Sequence, residues 1–361
     1  MKQKQPTYLA HTLPGFEAIA IEEITKRFAG AVVRGTHTVA DKNGLVLFDY
    51  AGDVRDLLDL RTIEDLFVVV ARLADLPTNR EALRLLESTA ARTPTIAAGL
   101  ALARQAHPGH GGRGKLRYRV IARQVGTAAY RRVDAQRAIE RGIAARPDHQ
   151  WRLEEEGALE FWLTLLTGQA LLALRLSDER MRHRTYQLEH LPASLRPSAA
   201  AALVWLSRPA DGDVFLDPMC GAGTILIERA HAGRYAQLLG GDIRAEAVAI
   251  ALSNIGPRYK PITLRRWDAR ALPLDAASVN VAVVNLPFGK QIGTPEENRT
   301  LYPAFLREAA RVLRPGSRLV ALTGDTRTFV EALRRSAFAR QQVYPVRLLG
   351  QPASVYVLER S

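Results

Sequence analysis

The sequence predicts two folded parts: an α+β N-terminal half, then an α/β half built on a mostly parallel sheet. Three observations carry this expectation. A chain of 361 residues exceeds what one hydrophobic core ordinarily organises. Up to about residue 180, strand and helix signals follow one another without regular order and end in a hairpin. From Asp213 onward, apolar strand-length runs alternate with helical patterns, as they do where helices cover both faces of a parallel sheet.

In the first half a strand near 7–11 ends at Leu13-Pro14-Gly15. A helix is expected over 16–28, where Ile19, Ile21 and Ile24 form an apolar stripe beside Glu22 and Glu23. Asn43-Gly44 precedes a strand over 45–50, and the β-branched run 67–73 suits a buried strand. Helices follow over 79–90 and 95–106. The glycine-rich stretch 107–114 reads as a loop, followed by a strand over 115–124 and a helix over 133–145. Strands 158–166 and 169–176 meet around Thr167-Gly168, a hairpin signal.

Pro192 and Pro197 mark a linker before a helix over 198–206. The second half then reads as strand 214–216, helix 224–231, a strand ending at Asp242, helix 245–254 and strand 261–265. Strand 279–284, helix 297–313, strand 318–323, helix 327–336 and two closing strands complete it.

Composition narrows the class. Apolar residues make up 47% and charged residues 24%, as in a folded globular chain. Fifty Lys and Arg against 37 Asp and Glu leave +13, which favours an anionic partner such as nucleic acid. Charge by itself equally fits an arginine-heavy composition. Cys220 is the only cysteine, so an intrachain disulfide and a cysteine-based zinc cluster are excluded, and no metal is expected. No run approaches the roughly 18 apolar residues of a membrane span, and the start is not patterned as a signal peptide. A cytoplasmic enzyme or binding protein is the expectation, with a monomer favoured.

Four strand ends carry the chemistry. Phe215-Leu216-Asp217-Pro218-Met219-Cys220-Gly221-Ala222-Gly223-Thr224 is a buried strand ending in a carboxylate, then a glycine turn entering a helix. The glycines let a ligand approach the backbone at the carboxyl edge of the sheet. The dinucleotide fingerprint wants a third glycine where Leu226 stands. In Gly240-Gly241-Asp242-Ile243 the carboxylate lies 19 residues beyond Gly223, where it can accept both hydroxyls of a ribose. In Trp267-Asp268-Ala269 a carboxylate can take a hydrogen bond from an adenine amine. A lone Asp is more often a turn or cap residue, but three successive strand ends with one acid each are hard to obtain by chance.

The fourth is Val283-Val284-Asn285-Leu286-Pro287-Phe288-Gly289. An exocyclic amine on a base is a weak nucleophile, because its lone pair is delocalised into the ring. The Asn285 amide oxygen and the Leu286 carbonyl can accept from its hydrogens and hold the nitrogen for in-line attack on a sulfonium methyl. Pro287 stiffens the turn, and Phe288 offers a ring on which an extruded base stacks. An ordinary strand-to-loop turn uses the same residue types.

These motifs resemble the THUMP-containing RNA guanine-N2 methyltransferases, on the tRNA branch of that family. The stretch Asp217 to Thr224 with Glu228, the variant Asn285-Leu286-Pro287-Phe288-Gly289 of an Asn-Pro-Pro-Tyr motif, and Leu301-Tyr302 carry the likeness. So do Arg184-Thr185-Tyr186, Ser194-Leu195-Arg196-Pro197-Ser198 and Leu13-Pro14-Gly15-Phe16-Glu17. Ala222 stands for the more usual Ser and Leu286 for the first Pro. The resemblance implies a ferredoxin-like subdomain over 1–65, a THUMP RNA-binding domain over 66–180, and a linker with a Rossmann-like methyltransferase domain over 181–361.

It also implies S-adenosyl-L-methionine as cofactor. Asp217, Met219, Gly221 and Gly223 would lie at its methionine end, Asp242 and Ile243 at the ribose, Asp268 and Ala269 at the adenine. Leu195, Arg196 and Pro197 would cover it. Asn285, Leu286, Pro287 and Phe288 would form the target-base site, with Asn285 also against the cofactor. Cys220 is expected to pack, since a nucleophilic cysteine belongs to C5-methylation of pyrimidines. The implied substrate is a guanosine in tRNA, in the acceptor stem near position 6.

A basic arm supports an RNA partner. Eleven Arg or Lys fall between Arg104 and Asp148, against Asp134, Glu140 and Asp148. Lys115, Arg117, Arg119 and Arg123 are spaced to project from one strand face, with Arg131 and Arg132 nearby. Such a face suits the phosphates of folded RNA. Three rivals stay open: an rRNA or DNA amino-methyltransferase, a non-catalytic RNA-binding protein, and a nicotinamide oxidoreductase.

Overall fold

The computed structural model describes residues 5–39, 42–108, 115–156, 159–186, 188–189, 191, 194–290 and 293–361. The chain divides into two compact units. One comprises Met1–His11, Ile24–Val39 and Leu45–Met181; the other comprises Thr12–Glu23, Ala40–Gly44 and Arg182–Ser361.

The elements of the first half are β1 (Thr7–Thr12), α1 (Glu17–Arg27), β2 (Val32–Val39), β3 (Asn43–Asp49), α2 (Val54–Leu57), β4 (Asp65–Leu73), α3 (Glu81–Arg92) and α4 (Thr95–Ala106). Then come β5 (Leu116–Gln124), α5 (Arg132–Ala144), β6 (Trp151–Leu153), β7 (Leu159–Leu166) and β8 (Gln169–Arg175). The eight strands form one sheet in the order β2-β3-β1-β4-β8-β7-β5-β6. The expected hairpin is β7–β8, antiparallel, with Leu166 opposite Gln169 and Gly168 at φ +70°. β5 runs parallel to β7, its buried Leu116, Tyr118, Val120 and Ala122 alternating with Arg117, Arg119, Ile121 and Arg123.

Two devices lock α3 to its neighbours. A Cβ on Gly142 of α5 would stand 2.4 Å from the Glu87 carbonyl, so glycine lets the two helices touch. The guanidinium of Arg146 is 7% exposed and donates to the carbonyls of Ala90, Ala91 and Thr93, satisfying the open end of α3, while Asp148 pairs with it at 2.6 Å. β2, α2 and β6 were not expected. β2 alternates exposed and half-buried residues and contains Gly35, so it lacks the apolar run of a core strand. Residues 109–114 of the expected loop over 107–114, and Pro192 of the expected linker, lie outside the described residues.

The second half contains α6 (Pro197–Leu206), β9 (Val214–Asp217), α7 (Thr224–His231), β10 (Gln237–Asp242), α8 (Ala245–Ile255), β11 (Ile262–Arg266) and β12 (Val279–Asn285). α9 (Pro295–Val312), β13 (Leu313–Thr323), α10 (Thr326–Leu333), β14 (Phe338–Leu348) and β15 (Gln351–Arg360) follow. The sheet order is β11-β10-β9-β12-β13-β15-β14. The first five strands in that order are parallel, and β15 is antiparallel to both of its neighbours.

Both faces of this sheet are buried, as the near-continuous apolar strands require. Phe215, Val281 and Val283 pack on one side with Ala199 and Leu203 of α6. Leu216, Ala282 and Val284 pack on the other with Tyr302, Phe305 and Leu306 of α9. Leu13, Phe16 and Ile19 join the first of these cores, and the Arg347 amide donates to the Pro14 carbonyl at 2.9 Å. Arg229 is fully buried, paired with Asp213 at 2.9 Å and donating to the carbonyls of Ala210, Gly233 and Arg234. Strand order reverses between β9 and β12, which opens a crevice at their carboxyl ends. Among the described residues no helix is long and apolar enough to cross a membrane.

Candidate active site

A cavity of about 570 Å³ occupies that crevice. Its walls include Leu195 and Arg196, the turn 218–222, Asp242 to Arg244, Asp268 to Arg270, and Asn285 to Phe288. The acids and turns singled out from the sequence come to this one edge, because each ends or closely follows a parallel strand of the same sheet, although Asp217 and Gly223 lie behind the lining and not in it. Pro197 differs: it opens α6 and is buried, behind the wall that Leu195 and Arg196 line.

At the end of β9, Asp217 has no exposed surface. One carboxylate oxygen accepts the Met219 amide at 3.3 Å; Oδ2 is buried with no partner. Burial, reinforced by the Asp242 charge, pushes this carboxyl well above the usual aspartate range. A buried oxygen left in that state is expensive unless a ligand donates to it. The turn that follows uses its two glycines differently. Gly221 has φ +50°, and a Cβ there would meet nothing within 4 Å, so the backbone faces open space. Gly223 has φ +83°, and a Cβ there would press on Ile255 and Ala251 of α8 at 3.2 and 3.3 Å.

Asp242, at the end of β10, fixes this turn from the side. Its carboxylate accepts the Gly221 amide at 3.1 Å and the Arg244 amide at 3.0 Å. Exposed Ile243 and buried Ala269 supply apolar wall. Asp268 accepts the Arg270 amide at 2.9 Å and is clasped by the Arg270 guanidinium, down to 2.6 Å, which holds its carboxyl below the usual range. Burial also pushes the Cys220 thiol well up, with Asp217 and Asp242 adding to the effect. It stays protonated and packs in the core, as expected.

Asn285 ends β12, and its amide oxygen is buried without a partner. The Leu286 amide continues the ladder by donating to the Leu322 carbonyl at 2.9 Å. Two donors then converge on the Pro287 carbonyl: the Tyr302 hydroxyl at 2.5 Å and the Asn298 amide at 3.2 Å. Tyr302 also hydrogen-bonds Thr323, and Asn298 also donates to Asp325. Gly324 sits so close to Phe288 that a Cβ would be 2.5 Å from the ring. The turn is therefore held at its carbonyl and under its aromatic ring. Asn298, Thr323 and Asp325 had not been singled out; the available signal was Asn298 four residues before Tyr302 on one helix face.

Asn254 was missed as well. Buried in α8, its oxygen accepts the amides of Leu188 and Glu189 at 2.9 Å, and its nitrogen donates to the Glu189 and Ala222 carbonyls. One amide thus ties the segment before Leu195 to the glycine turn. Tyr186 donates to buried Glu228 at 2.6 Å, anchoring the same segment to α7.

The basic arm of the first half is only partly a free cationic face. Lys115 and Arg117 are exposed, but Arg117 lies 3.4 Å from Glu154. Arg119 is paired with Glu160, Arg131 with Asp134 at 3.2 Å, and Arg132 donates to the Ala122 carbonyl at 2.9 Å. Arg123 stacks over Trp162 at 4.4 Å, and Arg146 is the buried helix-end clasp described above. The opposing Glu154 and Glu160 lie beyond the C-terminal end of the basic stretch 104–148.

Residues 184–352 match the RMKL-like methyltransferase domain model. A tRNA (guanine(6)-N(2))-methyltransferase of Mus musculus is 35% identical over 56% of this chain, but the match spans only 43% of that protein. The chain thus spans less than half the length of its mammalian relatives. A tRNA (guanine(6)-N2)-methyltransferase of Thermus thermophilus is 29% identical over 97% of this chain and 98% of its own length. The crystal structure of TrmN from Thermus thermophilus superposes with a TM-score of 0.79 at 26% identity, covering 99% of this chain and all of that one.

The residues present fit S-adenosylmethionine. The unpartnered Asp217 oxygen suits a cationic amine, the open backbone at Gly221 admits a ligand, and the Asp242 carboxylate retains lone pairs for hydroxyls. The apolar wall at Ile243 and Ala269 suits a purine. Over residues 184–352, then, the chain is similar to the RMKL-like methyltransferase domain.

Proposed function

We propose that this protein transfers a methyl group from S-adenosylmethionine to the exocyclic N2 of a guanosine in tRNA, in the acceptor stem near position 6. The observation that carries this reading is the Asn285 amide oxygen, buried and unpartnered in the wall of the cavity that Asp242 and Asp268 also line. When bound, the cofactor supplies an electrophilic methyl on sulfur. The chain does the rest.

Asn285 Oδ1 and the Leu286 carbonyl accept from the target amine and hold its nitrogen in line. As positive charge grows on that nitrogen, the same two acceptors stabilise it. Tyr302 and Asn298 fix the Pro287 carbonyl, so the acceptors need no rearrangement during the reaction. Phe288, backed by Gly324, presents a braced ring for the extruded base. The elevated pKa of Asp217 drops once a cationic amine sits beside it, which couples its charge to cofactor binding.

The relatives' names and full-length likeness support tRNA as substrate. On this reading residues 1–65 and 66–180 are the ferredoxin-like and THUMP portions of the RNA-binding half, Lys115 and Arg117 contact phosphate, and the protein works as a cytoplasmic monomer. The test uses two tRNA transcripts that differ at position 6 alone, guanosine in one and inosine in the other. Inosine lacks the amine. Methyl transfer to the first and none to the second is expected; equal transfer to both refutes N2 at that position as the acceptor.

A further inference from the structure

The hairpin between β14 and β15 turns through Leu349-Gly350, with Leu348 opposite Gln351. Both central residues have positive φ, +50° and +76°. That is the pattern of a type I′ turn, whose first position favours Asn, Asp or Gly. Leucine is a poor occupant of a left-handed position, since its Cβ crowds the carbonyl that follows. It gains nothing from packing either: Leu349 is 67% exposed, while its neighbour Leu348 is in the core. The backbone around it is nonetheless held. Lys290 Nζ donates to Gln351 Oε1 at 2.6 Å, Arg347 donates to the Gly350 carbonyl at 2.8 Å, and the Arg347 amide is tied to Pro14. This tip lines the same cavity as Asn285 to Phe288. A large apolar side chain on a braced, unfavourable turn at the mouth of the site is unaccounted for by folding.

We propose that Leu349 is a wedge that enters the base stack as the target guanine leaves it. The inference rests on the reading above, that the substrate is a guanine in an RNA duplex. Guanine N2 lies on the minor-groove edge of its base pair, and the RNA minor groove is wide and shallow enough to admit a hairpin tip. In-line attack by that amine requires the base outside the stack, which leaves a gap and loses stacking. Apolar side chains pushed between base steps fill such gaps in proteins that distort duplexes. Leu349 has the size, exposure and fixed backbone for that task, with Arg347 and Lys290 beside it for the flanking phosphates.

Leu349→Asn tests the idea, because asparagine is the residue the turn prefers and the fold is expected to be kept. Melting temperature should be unchanged or raised. Methyl transfer should fall about tenfold or more on tRNA with the target paired to cytosine, and by less than about threefold where the opposing nucleotide is abasic and extrusion is easy. A second readout needs no methyl donor: 2-aminopurine at position 6 should brighten on binding wild type and respond weakly to the variant. Equal rates and equal fluorescence for the two proteins overturn the wedge. So does an equal loss on paired and abasic substrates, which would make Leu349 a general contact. A wild type that brightens the probe through Leu349 yet methylates neither substrate would support the wedge and count against the methyl-transfer reading.

Discussion

Replacing Asp217 by Asn should make the cofactor-free protein more stable and the cofactor weaker. Asp217 has no exposed surface, one oxygen on the Met219 amide and the other on nothing. Asparagine keeps the shape and the Met219 bond but carries no charge. The amide nitrogen is left as unsatisfied as the oxygen it replaces, but the charge that burial penalises is gone, which should stabilise by about 1–3 kcal/mol where the wild-type carboxyl ionises, a few degrees for a unit of this size. The sign with pH follows from the elevated pKa of the folded carboxyl. Its contribution favours the folded state below the ordinary aspartate pKa and is lost as pH rises from there through the elevated value. The variant should lack that window, so its advantage grows across it. The price is paid in binding: a hydrogen bond to a charged partner is worth about 1.5–3 kcal/mol, roughly 10–150-fold in Kd. Calorimetric unfolding across pH without cofactor, with titration of S-adenosylmethionine, measures both. An Asn variant no more stable at neutral pH, or one that binds cofactor as tightly as wild type, refutes the reasoning.

Asn285→Ala deletes one positioned acceptor and should lower single-turnover methylation by about 10²–10³, with Kd for tRNA and cofactor little changed; a rate within a few-fold of wild type would make the turn structural. Tyr302→Phe leaves Asn298 alone on the Pro287 carbonyl, so kcat should fall with cofactor Kd unchanged, at about 1–2 kcal/mol of stability by denaturant titration. Arg117→Gln should flatten the dependence of tRNA affinity on log salt by about one unit. Arg119→Gln should instead loosen β5 against Glu160, by about 1 kcal/mol or less, with a smaller change in salt slope.

How much of this was legible depended on the kind of signal. The helix over 95–106, the helix over 224–231 and the strand ending at Asp242 follow from runs of apolar residues bounded by Gly, Pro or Asp, and the structure has them at those places. The strand-end acids were readable because parallel strands deliver their carboxyl ends to one edge whatever the details of packing. β2 escaped because an edge strand with half its residues in solvent has no apolar run to display. The basic arm was read too simply, since Arg117 and Arg119 face Glu154 and Glu160, more than 30 residues on, and only strand register brings them together. The clamp on Pro287 was illegible for the same reason. Asn298, Tyr302, Thr323 and Asp325 come from α9, the end of β13 and the turn after it, and their convergence exists only in the fold.

The central claim is that the four strand ends form one site that methylates a guanine amine in tRNA. Its most direct test incubates total tRNA with purified protein and S-adenosylmethionine labelled in the methyl group, then digests the RNA and identifies the labelled nucleoside. The account predicts label in N2-methylguanosine with wild type and its near-absence with Asn285→Ala. Label in a pyrimidine, in methyladenosine or in no nucleoside at all would contradict it.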